Sequence, residues 1–239
     1  MINTNKMKRK INIIIIAFTV MLTLAACTSQ PQKPQEPQAS SLPAADRAGN
    51  EIKIPSEINR IISISPSNAE MIVALGFGDK LVAVDKYSEG IEGIPQGIPY
   101  FDIMNPDIEQ LVALVPDIIY ATGMSLSEGK DPFKPLKDLG ITVAYIPSSN
   151  SIDGIYGDIM FIADSLKAGA KGQEIVDGMK LKIEEFRKTG ASVADKKTVY
   201  FEIAGAPTLY SFGSGVFLNE MIELLGAKNI LADQKEWVQ

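Results

Sequence analysis

Between residues 46 and 147, short β-branched runs alternate with stretches whose apolar residues recur at helical spacing. That alternation is the strongest constraint in the chain. Strands separated by helices run parallel, so the segment is read as βαβ units of an α/β fold. The expected strands are residues 60–65, 81–84, 117–120 and 142–146. Ahead of them, AGNEIKIP reads as a turn and a short extended arm that Pro55 closes. Ser67 and Glu70 have the spacing of a capping box, and the helix they open is expected to close at Gly76. A second helix is expected from Asn105-Pro106-Asp107, with a side-chain cap and proline in its first turn, and to stop before Pro116.

From Ser151 the rhythm changes. Ile152, Ile155, Ile159, Ile162 and Leu166 recur at three and four residues with no strand between, which predicts two consecutive helices. The second, about residues 171–188, puts Ile175 or Val176, Met179, Ile183 and Phe186 on one stripe, and its length suits a strut better than a packing element. A strand at 198–203 and a helix near 217–225, capped by Gly226, then begin a second α/β lobe. One strand and one helix cannot bury a core of their own, so this lobe is expected to be incomplete, with a truncation at Gln239. The expected boundaries are 46–150 for the first lobe, 151–190 for a helical linker and 191–239 for the start of the second lobe.

The N-terminus carries a different message. Lys6, Lys8, Arg9 and Lys10 precede an apolar run from Ile11 to Ala26 that is too short for a typical spanning helix, and Leu24-Ala25-Ala26-Cys27 follows. Residues 1–26 are therefore read as a secretory signal, and the tetrapeptide resembles the lipobox of bacterial lipoproteins. Lipidation is expected at Cys27, which would hold the protein on the extracytoplasmic face of the cell membrane; an uncleaved anchor helix is the alternative. Residues 28–45, rich in Gln, Pro and Ser, complete a disordered tether over 27–45. Cys27 is the only cysteine, so an exported form has no disulfide and its core must hold the fold.

Composition removes several function classes. A net charge of −6 with no basic cluster beyond residues 6–10 argues against nucleic acid as a partner. The chain has no histidine, which excludes a Ser-His-Asp triad and makes an imidazole-held metal or an axial histidine for haem impossible. Gly213-Ser214-Gly215 lacks the nucleophile-elbow pattern, and helix capping accounts better for Ser214. Asp102 and Glu202 could pair as acid and base only if something fixed their separation, and nothing does. No catalytic residue, resident metal or cofactor is assigned.

Three segments carry a resemblance: RIISISPSNAEMIVALGFGDKLVAVDKYSE, NPDIEQLVALVPDIIYA and KKTVYFEIAGAPTLYSFGSGVFLNEMIELLGAKNIL. Together with the helices between them, they resemble the substrate-binding proteins of iron-siderophore and cobalamin ABC transporters over nearly all of residues 46–239. The resemblance implies two Rossmann-like lobes bridged by a long α-helix, the class III periplasmic-binding-protein architecture, with a ligand clamped between them. By resemblance the pocket loops are 65–68, 85–89, 100–104, 122–127 and 204–214. Ser65, Tyr87, Tyr100, Phe101 and Asp102 would contact ligand from the first lobe, with Thr122. Ile203, Phe212 and Trp237 would do so from the second. The competing reading of each aromatic is ordinary core or rim packing. Glu109 is implied as a docking carboxylate for the transporter's membrane subunit, against the simpler reading that it offsets a helix dipole.

A coordinatively complete chelate needs shape and hydrogen bonds rather than a bond to its metal. The reading therefore favours a ferric siderophore, with cobalamin or haem as alternatives. An anionic catecholate would want cations, and Lys86 and Lys130 are the nearest in sequence. The implied partners are the permease and ATPase of an ABC importer, and the protein is expected to act as a monomer. A ligand-sensing surface lipoprotein without a transport role is the alternative of another class.

Overall fold

The computed structural model describes residues 42–125 and 131–239. The leader, Cys27 and most of the tether lie outside the described residues, as do Ser127 and Lys130. Among the described residues no helix is long and apolar enough to cross a membrane.

Five parallel strands make the main sheet: β1 (Ile61–Ser63), β2 (Leu81–Asp85), β3 (Tyr100–Phe101), β4 (Ile118–Thr122) and β5 (Thr142–Ile146). Their order is β3-β2-β1-β4-β5, with Ile61 paired to Leu81 on one side and Ile118 on the other. The four expected strands are present within one or two residues of their predicted ends, and β3 is an addition. Every residue of β1 and β4 is buried, as a parallel sheet covered on both faces demands. Period-two alternation divides the apolar side chains. Ile61, Ile118 and Tyr120 pack with α1 (Pro66–Ala74) and, through Ile162, with a later helix, α4 (Ile152–Ser165). Ile62, Ile119 and Ala121 pack on the other face against Leu111 of α2 (Ile108–Ala113) and Leu136 of α3 (Lys134–Asp138). The arm at residues 45–51 closes as a tight turn whose Asp46 carboxylate accepts from the Tyr145 amide at 2.9 Å.

Helix starts differ from expectation. α1 begins at Pro66 behind an extended Ser65, so Ser67 lies inside the first turn, its hydroxyl 2.9 Å from that of Ser65, and the capping box does not form. The fixed φ of Pro66 suits the first helical position and moves the start forward. The end is as expected: Gly76 adopts φ +91°, its amide donates to Val73 and that of Phe77 to Ile72 at 3.0 Å, a Schellman closure. α2 is capped by Asp107, which accepts from the Gln110 amide at 3.1 Å, rather than by Asn105. The Asn105 and Met104 amides are instead taken by Asp102 in a local turn, which leaves Pro106 ahead of the helix.

α4 and α5 (Gly169–Ala191) are the two consecutive helices. The first half of α5 packs, contrary to the strut reading, with Val176 buried against Tyr156 and Ile159 of α4. Phe186, placed on the same stripe by its spacing, is half exposed because the second half of α5 runs beyond α4. The expected strand at 198–203 shrinks to β6 (Thr198–Val199), since Ala204 turns back to bridge Tyr210. β6 pairs in parallel with β8 (Lys228–Asn229), and β7 (Ser211–Phe212) pairs antiparallel with β9 (Trp237–Val238). Between them, α6 (Phe217–Leu224) lays Ile222 on Phe212 and Val216. Ser214 does not cap α6, whose N-cap is Val216; its hydroxyl donates to the Gln234 carbonyl at 2.9 Å and ties two loops together.

Candidate functional site

The strand order reverses between β1 and β4, because the chain moves outward through β2 and β3 and then returns to the other side of β1. At such a switch point the loops leaving adjacent strands part, and ligands of open α/β sheets sit in the crevice outside the strands' carboxyl ends. A cavity of about 520 Å³ opens there. Ser65 and Asn68 reach it from the start of α1, Thr122 and Met124 from the end of β4, and Pro147 and Ser149 from the end of β5. Ile159 of α4, Ile175 and Met179 of α5, and Phe217 at the start of α6 form the apolar wall. The wall thus joins both halves of the chain. Glu220 of α6 strengthens that junction by accepting the Ile152 amide at 2.9 Å, a carboxylate on the positive end of α4.

Within the lining, Asp158 is already paired: Arg47 Nε lies 2.6 Å from one oxygen and Ser149 Oγ donates to the other at 2.6 Å. Asn68 is different. It is 1% exposed and its Nδ2 has no hydrogen-bond partner among the described residues. Among the described residues no lysine or arginine lines the cavity. A larger groove of about 980 Å³ runs along α5 between Tyr156, Arg187 and Glu223. It is an open, charged trough away from the strand ends, so the smaller cavity is the better candidate.

The residues singled out from sequence fall into five places. Ser65 and Thr122 line the cavity. Tyr87, Tyr100 and Asp102 form a separate rim at the ends of β2 and β3, where Tyr87 is 65% exposed with the Lys86 ammonium 5.2 Å from its ring centroid. Lys86 also donates to Asp102, which holds that carboxyl below the usual carboxylate range, aided by the Met104 amide, and raises Lys86 in turn. On the second half, Ile203 and Trp237 are exposed, and Trp237 stacks on Tyr210 at 5.7 Å and 18°. Phe101 and Phe212 are corrections. Strand alternation turns Phe101 into the core with Ile103 and Leu111, and Phe212 is the centre of the second core, so neither ring is presented to the cavity. Glu109 is exposed in the first turn of α2, with no ion-pair partner among the described residues.

Met71, Met179 and Phe217 also line the cavity and were not singled out for it, while Asn68 and Met124 entered only as members of the expected pocket loops 65–68 and 122–127. Of these, Asn68 alone carried a signal of its own: a polar residue on the face of α1 that must be buried. Among the described residues no cluster of three acidic side chains is arranged to hold a metal ion.

The periplasmic binding protein family model matches residues 61–239. YvrC of Bacillus subtilis, described as an ABC transporter substrate-binding lipoprotein, is 30% identical over 98% of this chain and 76% of its own length. The vitamin B12-binding protein of Yersinia pestis is 30% identical over 75% of this chain and 63% of its own, so the chain spans less than two thirds of that relative. Among solved structures, a possible iron-binding, periplasmic solute-binding protein from Staphylococcus epidermidis superposes with a TM-score of 0.69 at 31% identity, covering 77% of this chain and 71% of that one. With a doubly wound sheet, a helix leading into a second α/β unit and a match over three quarters of its length, the chain belongs to the periplasmic binding protein family.

Proposed function

We propose that this protein captures a metal chelate of the iron-siderophore type outside the cell membrane and delivers it to the permease and ATPase of an ABC importer. It binds and does not catalyse. The observation that carries the reading is the cavity at the switch point: hydroxyls of Ser65, Thr122 and Ser149 beside thioethers and isoleucines, with no histidine in the chain to bond a bare metal. Such a lining grips a preassembled complex by shape and hydrogen bonds. The descriptions of the Bacillus and Staphylococcus relatives, a transporter lipoprotein and a possible iron-binding protein, support the same class. Cys27 would carry the lipid, residues 28–45 would give reach, and Glu109, exposed on the first-lobe surface, would meet a cation on the permease.

Cobalamin is the second reading. It is favoured by the stacked Tyr210 and Trp237 rings, a flat surface suited to a corrinoid, and by the vitamin B12-binding relative. Titration of the single tryptophan's fluorescence with ferric siderophores, cyanocobalamin and haemin tests both. Saturable quenching by a ferric siderophore is expected, and quenching by cyanocobalamin alone would move the assignment to the second reading. Glu109→Ala should leave the affinity unchanged and lower import in cells; weaker binding with normal import would remove the docking role.

A further inference from the structure

A residue outside the cavity is tied to two that line it, and the consequence for binding rests on the chelate reading above. We infer that Arg47, carried by the arm ahead of the main sheet, is a positioning residue for the cavity: through Asp158 it fixes the Ser149 hydroxyl and the first turns of α4.

The arm is fastened along its length. Asp46, 6% exposed, accepts from the Ala48 and Asn50 amides at 3.0 and 2.9 Å as well as from the Tyr145 amide of β5. The Arg47 amide donates to the Tyr145 carbonyl at 3.1 Å, and the Thr142 hydroxyl donates to the Lys53 carbonyl at 2.8 Å. The arm thus covers the open edge of β5 and brings Arg47 to the start of α4. There Nε meets one oxygen of Asp158, and Nη2 donates to the Gly154 carbonyl at 3.3 Å. Ser149 takes the other oxygen. Arg47 does not line the cavity; Ser149 and Asp158, the latter 4% exposed, do, with Pro147, Ile155 and Ile159 beside them.

Two glycines show that α4 is shaped around this contact. Glycine is a poor helix former, yet two stand in the first turns. A Cβ at Gly157 would lie 2.8 Å from Arg47 Nη2 and 3.1 Å from its Cζ, and one at Gly154 would lie 2.8 Å from Ser149 Oγ. Each space is taken by one of the two groups that hold Asp158. Without the guanidinium, a shielded carboxylate would lose its cation, an unfavourable state that turning toward solvent relieves. Ser149 and the start of α4 would follow it. Cavity occupancy and arm attachment are then linked equilibria, and each favours the other.

Gly157→Ala tests this without touching a cavity-lining residue. The three atoms nearest the added methyl all belong to the Arg47 guanidinium, whose side chain is 35% exposed and can swing outward, so the fold is kept. In the absence of ligand, amide exchange should quicken about tenfold over residues 152–158 and stay at the parental rate in β1 and β4. Ferrichrome, cyanocobalamin and haemin are titrated by tryptophan fluorescence, and whichever binds the parent should bind the variant about tenfold more weakly, the effect of one misplaced hydrogen bond. Arg47→Gln should do the same, and adding Gly157→Ala to it should change nothing further. Asp158→Asn on the Arg47→Gln background should restore slow exchange, because it removes the unpaired charge and still accepts from Ser149. In the parent, the bound chelate should slow exchange of the Arg47 and Asn50 amides.

Parental exchange in Gly157→Ala or Arg47→Gln overturns the inference, as does failure of Asp158→Asn to restore it. Faster exchange with unchanged affinity, or a bound chelate that leaves the arm amides unchanged, also overturns it while leaving the chelate reading intact. If the parent binds none of the three chelates, that reading falls, and exchange over residues 152–158 alone decides whether Arg47 holds the wall.

Discussion

In the first lobe, Ile61, Ile62, Ile118 and Ile119 are completely shielded between two helical layers, whereas the second has a core of Phe212, Val216 and Ile222 under one short helix. Tyr200, Phe201, Leu209 and Ile230 of the second are about half exposed. The contrast follows from strand length. Five-residue strands such as β2, β4 and β5 present two or three side chains to each face, while the two-residue strands β6 to β9 present one. Burial scales with that number at about 25 cal/mol per Å², so the first lobe holds itself together and the second leans on α5. The cavity lies where the two meet, and Phe217 and Glu220 carry the second lobe's share of it.

The largest expected effect would break this contrast if it failed to occur. Ile118→Ala removes three carbons from the centre of the main sheet, between β1 and β5, where nothing can collapse inward. It should cost about 3–5 kcal/mol in urea-induced unfolding. Ile222→Ala in the small core should cost about 1–2 kcal/mol, because its site is shallow and its neighbours can relax. Equal losses would mean that the two cores are energetically alike.

Next in size is a test of how the second lobe leans on α5. Gly190 sits near the end of α5, and a Cβ there would lie 2.0 Å from the Leu224 carbonyl and 2.7 Å from the Gly226 amide, backbone on both counts. Alanine is normally the better helix former by about 1 kcal/mol. Here the clash should reverse the sign, with Gly190→Ala costing about 1–3 kcal/mol. Amide exchange should rise across α6 and β8 and stay unchanged in β1 and β4. A stabilised variant would show that α6 does not bear on α5.

The same contrast explains what was legible in the sequence. Long β-branched runs and the isoleucine period from 152 to 166 identify their elements because burial on fixed faces sets the residue type. β3 and the shortened β6 were not legible, since two-residue pairings depend on what folds beside them. Phe101 and Phe212 show the limit for the site: an aromatic near a strand end has the same letter whether it faces ligand or core. Alternation from Asp102, which faces Lys86, would have turned Phe101 inward. Asn68 stood within a recognised motif, but its burial arises from α1 packing over the sheet.

The smallest effect sharpens the comparison. Val115 holds φ +45° after α2 and Leu209 holds φ +46° in the loop before β7, a region that costs an ordinary side chain about 1 kcal/mol. Both are exposed, so replacement by glycine relieves strain without removing buried contacts. The added freedom of the unfolded chain offsets part of the gain, which leaves about 0.5 kcal/mol for each. If the first lobe is the cooperative unit and the second opens on its own, the equal gains will register differently. Val115→Gly should slow exchange of the β1 and β4 amides and raise the melting temperature slightly. Leu209→Gly should slow exchange only around β7 and β9 and leave the main transition where it was. Should Leu209→Gly instead protect β1 and β4 as much as Val115→Gly does, the two lobes unfold as one, and the division between a self-sufficient sheet and a dependent one has no thermodynamic meaning.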